Sequence, residues 1–369
     1  MDTKLFSSKD KRSSKLIGFN LKSSTVVKLI LLTVTTALLF SCSVLGIGGE
    51  RQITTIGTAE ETFVDQARDR EIEALIWYPT QPVEGKEYGG NKVFYGFFAD
   101  PGAEIAITEK APLYVLVHGT TGTWRNLSWL AAELAENGAM VIAANHPGST
   151  YFSNPTPAEI LETWNQPQDV SFMLDSLLSS EYSQYIDEEN IVVIGLSLGG
   201  YTSMALSGAT LEMERMPEFC ATYPDDGCRY FEDVFETFDA EYYAQTDQDF
   251  KDDRVKAAIA FAPGLVESMT ADSLQSLETP ILIIGAEDDK NVPPATHLTP
   301  MVDYLPEHSQ YREIEEAAHF SFMQICKDGA LEILEKEGEA FACEESGDKS
   351  RIDIHDEVID LIEEFLADI

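Results

Sequence analysis

Gly195-Leu196-Ser197-Leu198-Gly199 directly follows the apolar run Ile191-Val192-Val193-Ile194 and opens a stretch of helical character. A Gly-x-Ser-x-Gly between a buried strand and a helix forms a sharp, strained turn. It lifts a serine hydroxyl above a sheet edge, where the oxygen can attack an acyl carbonyl. Such a serine needs a base, and the base needs an orienting acid. Downstream the chain offers Asp288 or Asp289 after the run Ile281–Ile284, then His319 after Tyr311–Ile314. The offset from Gly285 favours Asp288 and the offset from Pro293 favours Asp289, so both stand as candidate acids. Charge developing on the carbonyl oxygen needs N–H donors. The backbone N–H of Leu198 is the first candidate and that of Thr120, in His118-Gly119-Thr120, the second.

The other five histidines are less well placed. His118 belongs to the donor loop and His146 follows a middle strand. His297 and His308 fall in or beside an expected surface helix, and His355 in the last helix is expected to be solvated. There is no His-Glu-x-x-His, calcium loop or phosphate-binding glycine motif, so neither a metal nor a cofactor is implied.

These residues need a frame that brings strand ends together. Residues 53–78 read as strands and 79–92 as a loop rich in Pro, Gly and Glu. Leu113–Val117, Ala139–Ala144, 191–194, Val255–Ala262 and 281–284 read as strands of the sheet, the first as a fully apolar interior one, and 311–314 as a further short strand. Helices are expected over 126–137, 158–180, 199–214, 295–305 and 353–367, the last with Ile354, Val358, Leu361, Ile362 and Leu366 inward. Alternating strands and helices at this spacing describe a doubly wound α/β sheet, with function at the carboxyl ends of its strands. The excursion 215–253 interrupts the pattern. Its residues 231–250 hold seven acids, no basic residue and six aromatics. With Phe231, Phe235, Phe238 and Tyr242 on one helical face, it reads either as a lid or wall over the site or as a surface helix pair.

The chain has 369 residues with 44% hydrophobic content, enough for one large catalytic domain over 43–369 that carries the 215–253 insertion. Its formal net charge of −39 excludes binding to nucleic acid or anionic lipid through a general positive field. Residues 1–41 carry seven basic and two acidic residues, against this trend. Together with the apolar run Val26–Leu39 they read as an export segment, 1–42. Leu39-Phe40-Ser41-Cys42 resembles a bacterial lipobox, in which Cys42 would carry lipid and attach the chain to a membrane. Plain secretion and an uncleaved anchor are the alternatives. The other four cysteines suit an oxidising compartment, with sequence-near pairs Cys220–Cys228 and Cys326–Cys343 as one of three connectivities.

Ile76-Trp77-Tyr78-Pro79, Val117-His118-Gly119, Asn145-His146-Pro147-Gly148, Gly195–Gly200 and Ala318-His319-Phe320-Ser321-Phe322 together resemble an α/β-hydrolase. The match is to the predicted dienelactone hydrolase-like branch, similar to platelet-activating-factor acetylhydrolases and bacterial polyester-active serine hydrolases. It spans about residues 53–366. The resemblance implies Ser197 as nucleophile, His319 as base, Asp288 or Asp289 as acid, and Leu198 and Thr120 as oxyanion donors. Its substrates would be carboxylic esters; the resemblance does not fix the acyl chain, and a short or medium one is the expectation. Serine at 197, where true dienelactone hydrolases use cysteine, counts against that activity. An amidase or peptidase with the same triad and a noncatalytic binding protein on this fold are the alternatives.

Overall fold

Each short apolar run finds its place in one sheet. In a computed structural model that describes residues 52–369, nine strands form it: β1 (Gln52–Asp65), β2 (Arg70–Tyr88), β3 (Phe97–Pro101), β4 (Ala111–Val117), β5 (Met140–Asn145), β6 (Ile186–Leu196), β7 (Ala257–Phe261), β8 (Ile281–Ala286) and β9 (Gln310–Ile314). The expected export segment and Cys42 lie outside the described residues. β5, β4, β6, β7, β8 and β9 lie side by side and parallel, while β2 joins β5 and β1 antiparallel.

The inner parallel strands β4, β5, β7 and β8 are apolar on both faces because helices cover both, whereas the edge strand β9 is polar apart from Ile314. Leu116, Ile194, Ile259 and Ile284 pack with helices α1 (Ser128–Glu136) and α4 (Arg351–Ala367). Val115 and Val193 pack with α2 (Asn165–Leu178), and Ala260 and Ile283 with α3 (Leu198–Leu206). In α4, Ile354, Val358, Ile362 and Phe365 are buried, a spacing that puts all four on one helical stripe. Full burial of each such side chain contributes about 2 kcal/mol. Ser350 starts the helix by accepting from the N–H of Asp353, whose carboxylate accepts in return from the N–H of Ser350.

Several expected boundaries move. The expected loop 79–92 is mostly strand, since β2 runs on to Tyr88 by pairing Lys86, Glu87 and Tyr88 with Ala99, Phe98 and Phe97. That partner, β3, lies in a segment without a clear alternating pattern. The helix after the elbow stops at Leu206, and Gly208 turns the chain at φ 110°. Only Thr299–Val302 is helical within 295–305. The single aromatic helix face expected over 231–242 does not form. Separate helices Asp226–Phe231 and Ala240–Thr246 flank a 3-10 turn, Phe235–Thr237. The Asp239 side chain starts the second helix by accepting from the N–H groups of Glu241 and Tyr242. Both cysteine pairs are disulfides, Cys220–Cys228 and Cys326–Cys343, with Cα atoms 5.2 Å and 6.0 Å apart.

Candidate active site

Ser197 sits between β6 and α3 at φ 57°, ψ −115°, a conformation that costs an L residue energy. The surroundings hold it there. Its N–H donates to the Phe261 carbonyl at 2.9 Å, and its own carbonyl accepts from the N–H groups of Gly264 and Tyr201, each at 3.0 Å. The flanking glycines are required by close approach. A Cβ on Gly195 would lie 1.9 Å from the Gly199 oxygen, and one on Gly199 would lie 2.1 Å from the Val117 oxygen.

The loop after β8 separates the two candidate acids. Asp289 is buried, and its Oδ1 accepts from the N–H groups of Asn291 and Val292, both at 2.8 Å. Its Oδ2 faces His319 Nδ1 at 2.6 Å. Asp288 is exposed and makes no such contact.

His319 opens a tight turn, His319–Phe322, after β9. Four groups from elsewhere fix that turn. Trp129 Nε1 donates to the Phe322 carbonyl at 2.9 Å, and Ser321 Oγ donates to Glu345 at 2.5 Å. Buried Arg351 binds the other Glu345 oxygen at 2.6 Å. His355 Nε2 donates to the Met323 carbonyl at 2.9 Å. His355 therefore is not solvated: its ring stacks on Trp129 with centroids 3.6 Å apart. Burial, with the nearby Arg351 charge, pushes its pKa down to about 3, so it stays neutral.

The His118-Gly119-Thr120 loop is equally tied down. His118 Nε2 accepts from the His146 N–H at 3.0 Å, so its proton is on Nδ1, which donates to the Gly119 carbonyl at 2.8 Å. Burial and the neighbouring His146 push the His118 pKa down to about 3. His146 Nδ1 meets Asp169 at 3.1 Å, and Arg70 grips the same carboxylate through two contacts of 2.7 Å. Gln166 links the His118 carbonyl to Thr202 of α3. None of Arg70, Trp129, Gln166, Asp169, Glu345 and Arg351 stood out in the sequence. For Asp169 there was one trace, an acid one turn before buried Met173.

One cavity of about 1050 Å³ is lined by Ser197, Leu198, Thr120, Asp289 and His319. Met216, Phe231 and Phe235 of the insertion form part of its wall while packing on the core beneath, and exposed Tyr230 lines it beside them. His297 lines it too, and is buried rather than on a surface helix. Its Nδ1 contacts Glu267 at 3.0 Å and its Nε2 contacts Asp225 of the insertion at 2.8 Å. Burial disfavours its charge, but hydrogen bonds to Asp225 and Glu267 outweigh that and raise its pKa to about 9. Among the described residues, no cluster of three or more His, Cys, Asp or Glu is arranged to hold a metal ion.

Cutinase 1 of Thermobifida cellulosilytica is 24% identical over 243 residues, covering 63% of this chain and 66% of that protein. The cutinase of Thermobifida fusca (strain YX) is also 24% identical over 243 residues, covering 63% of this chain and 58% of its own. The chain thus spans less than two thirds of the length of these relatives. A ferulic acid esterase from Streptomyces cinnamoneus shares the fold, with TM-score 0.52 and 20% identity over 76% of this chain and 78% of that one. These are cutinases and an esterase, and the narrower placement beside dienelactone hydrolases remains an expectation. Residues 114–325, from β4 to just past the His319 turn, match the model of the alpha/beta hydrolase family. The match takes in more than half of the sequence and the loops that carry Ser197, Asp289 and His319, and the chain belongs to the alpha/beta hydrolase family.

Proposed function

We propose that this protein hydrolyses carboxylic esters through a Ser197–His319–Asp289 triad. One observation carries the reading: a serine held at positive φ shares a cavity with a histidine bonded to a buried carboxylate. The similarity to cutinases supports an ester as substrate. Ser197 Oγ attacks the acyl carbonyl while His319 Nε2 takes its proton. Asp289 keeps the proton of neutral His319 on Nδ1 and stabilises the imidazolium. The tetrahedral oxygen is met by the N–H groups of Leu198 and Thr120. The first is free for this role because the opening N–H groups of a helix have no intrahelical acceptor. Losing one donor costs about 3 kcal/mol in the transition state. His319 then protonates the leaving alcohol, and water, activated by the same base, releases the acid.

The apolar wall and the size of the cavity suit esters of short or medium acyl chain. Two disulfides support action outside the cytoplasm, as a secreted protein or one anchored through Cys42. The mass of the mature N-terminus distinguishes these two fates.

The test is hydrolysis of p-nitrophenyl esters from acetate to decanoate. Turnover by the parent should fall by about 10⁴-fold or more in Ser197→Ala and in His319→Ala. Parent-level turnover in either variant would refute the triad. A folded parent inert on the whole series would refute the ester reading.

A further inference from the structure

The charges around the reacting groups are strongly one-sided. Glu287, Asp288, Glu339 and Glu344 line the cavity that holds Ser197 and His319, and all four are exposed. Among the described residues none of the four has an ion-pair partner. Other acids of the lining are balanced: Glu345 by Arg351, and Glu267 by His297. Lys290 is the one lysine or arginine in the lining. Phe94, Phe320 and Phe341 line the same cavity. Apolar walls of low polarisability concentrate the field of charges set around them. The chain's formal net charge of −39 adds to the field from further away.

We propose that this cavity selects its esters by charge, accepting uncharged ones, rejecting those that carry a carboxylate, and expelling its own acid product. The inference rests on the ester-hydrolase reading above. Water adds across the acyl–oxygen bond to give an alcohol and a carboxylic acid, and the acid loses its proton at neutral pH. A neutral substrate thus enters a negative cavity without penalty and leaves as an anion that the cavity repels. Reaction changes the sign of the interaction, so the acidic lining favours turnover over product retention. Because the four acids are exposed, mobile ions weaken their field at distances beyond about 10 Å at 0.1 M salt.

The test uses two acetate esters of similar shape, neutral 4-acetoxybenzamide and anionic 4-acetoxybenzoate, with the full chain at low and high salt. At low salt kcat/KM should favour the amide-bearing ester by about ten-fold, and about 0.5 M NaCl should close most of that gap. Glu339→Gln combined with Glu344→Gln should narrow the same ratio at low salt. Equal kcat/KM for both esters at low salt would overturn the inference while leaving the hydrolase reading intact. A gap unmoved by both salt and the double substitution would do the same. Turnover of neither ester by folded protein would remove the hydrolase reading and this inference with it.

Discussion

Asp289 earns its place through its two oxygens. One is saturated by the backbone N–H groups of Asn291 and Val292, which leaves the other aimed at His319. Asp289→Asn should therefore lower kcat on p-nitrophenyl acetate by about 10³–10⁴-fold, because the amide reverses the imidazole tautomer. Asp288→Asn should change it by less than about three-fold, since that side chain is exposed and makes no contact with His319. A larger loss in Asp288→Asn would invert the assignment. Spacing along the chain left the two acids level because they are adjacent, and what separates them is the curl of the loop after them. Ser197 and His319 stood out as candidates because the first sits in a strand-turn-helix pattern and the second follows a readable strand. His297 and His355 were misread as surface groups for a related reason. Their burial comes from Asp225, Glu267 and Trp129, all distant in sequence.

At the scale of elements, the cavity is assembled from strand ends plus an insertion that has to be fastened to them. Asp225 of the insertion, Glu267 after β7 and His297 after β8 meet in one buried ion cluster. The Asp225 carboxylate also accepts from the N–H of Cys228, so the cluster is tied to the Cys220–Cys228 loop. The folded-state pKa of His297, about 9, lies above its ordinary value of 6.5. Its contribution to stability is thus fully present below about pH 6.5, declines above it, and is gone once pH passes about 9. The melting temperature of the parent should exceed that of His297→Gln at pH 6, with the difference shrinking by pH 9.5. A difference that stays constant or grows would contradict the charged clamp. The inner parallel strands were readable because burial on both faces makes them continuously apolar. β3 and the far half of β2 were not, because an edge pairing depends on the partner more than on its own pattern.

The whole molecule carries 64 acidic residues against 25 basic ones, and folding crowds these charges together. Raising NaCl from about 10 mM to about 1 M should lift the melting temperature by several degrees, through screened repulsion. A melting temperature that stays flat across that range would show that local pairing already absorbs the repulsion. The elbow has a different kind of dependence on the whole. Its five residues are contiguous, yet the N–H of Ser197 is bonded to Phe261 and its carbonyl to Gly264, both beyond the insertion. The left-handed turn is therefore a late product of folding, complete only once β7 has docked beside β6. The Ser197 amide should be among the slowest to exchange its hydrogen with solvent, released only by global opening. On the mechanism proposed above, a partly folded chain that keeps the motif but loses β7 would carry the nucleophile without the turn that presents it, and activity would appear only with the completed sheet.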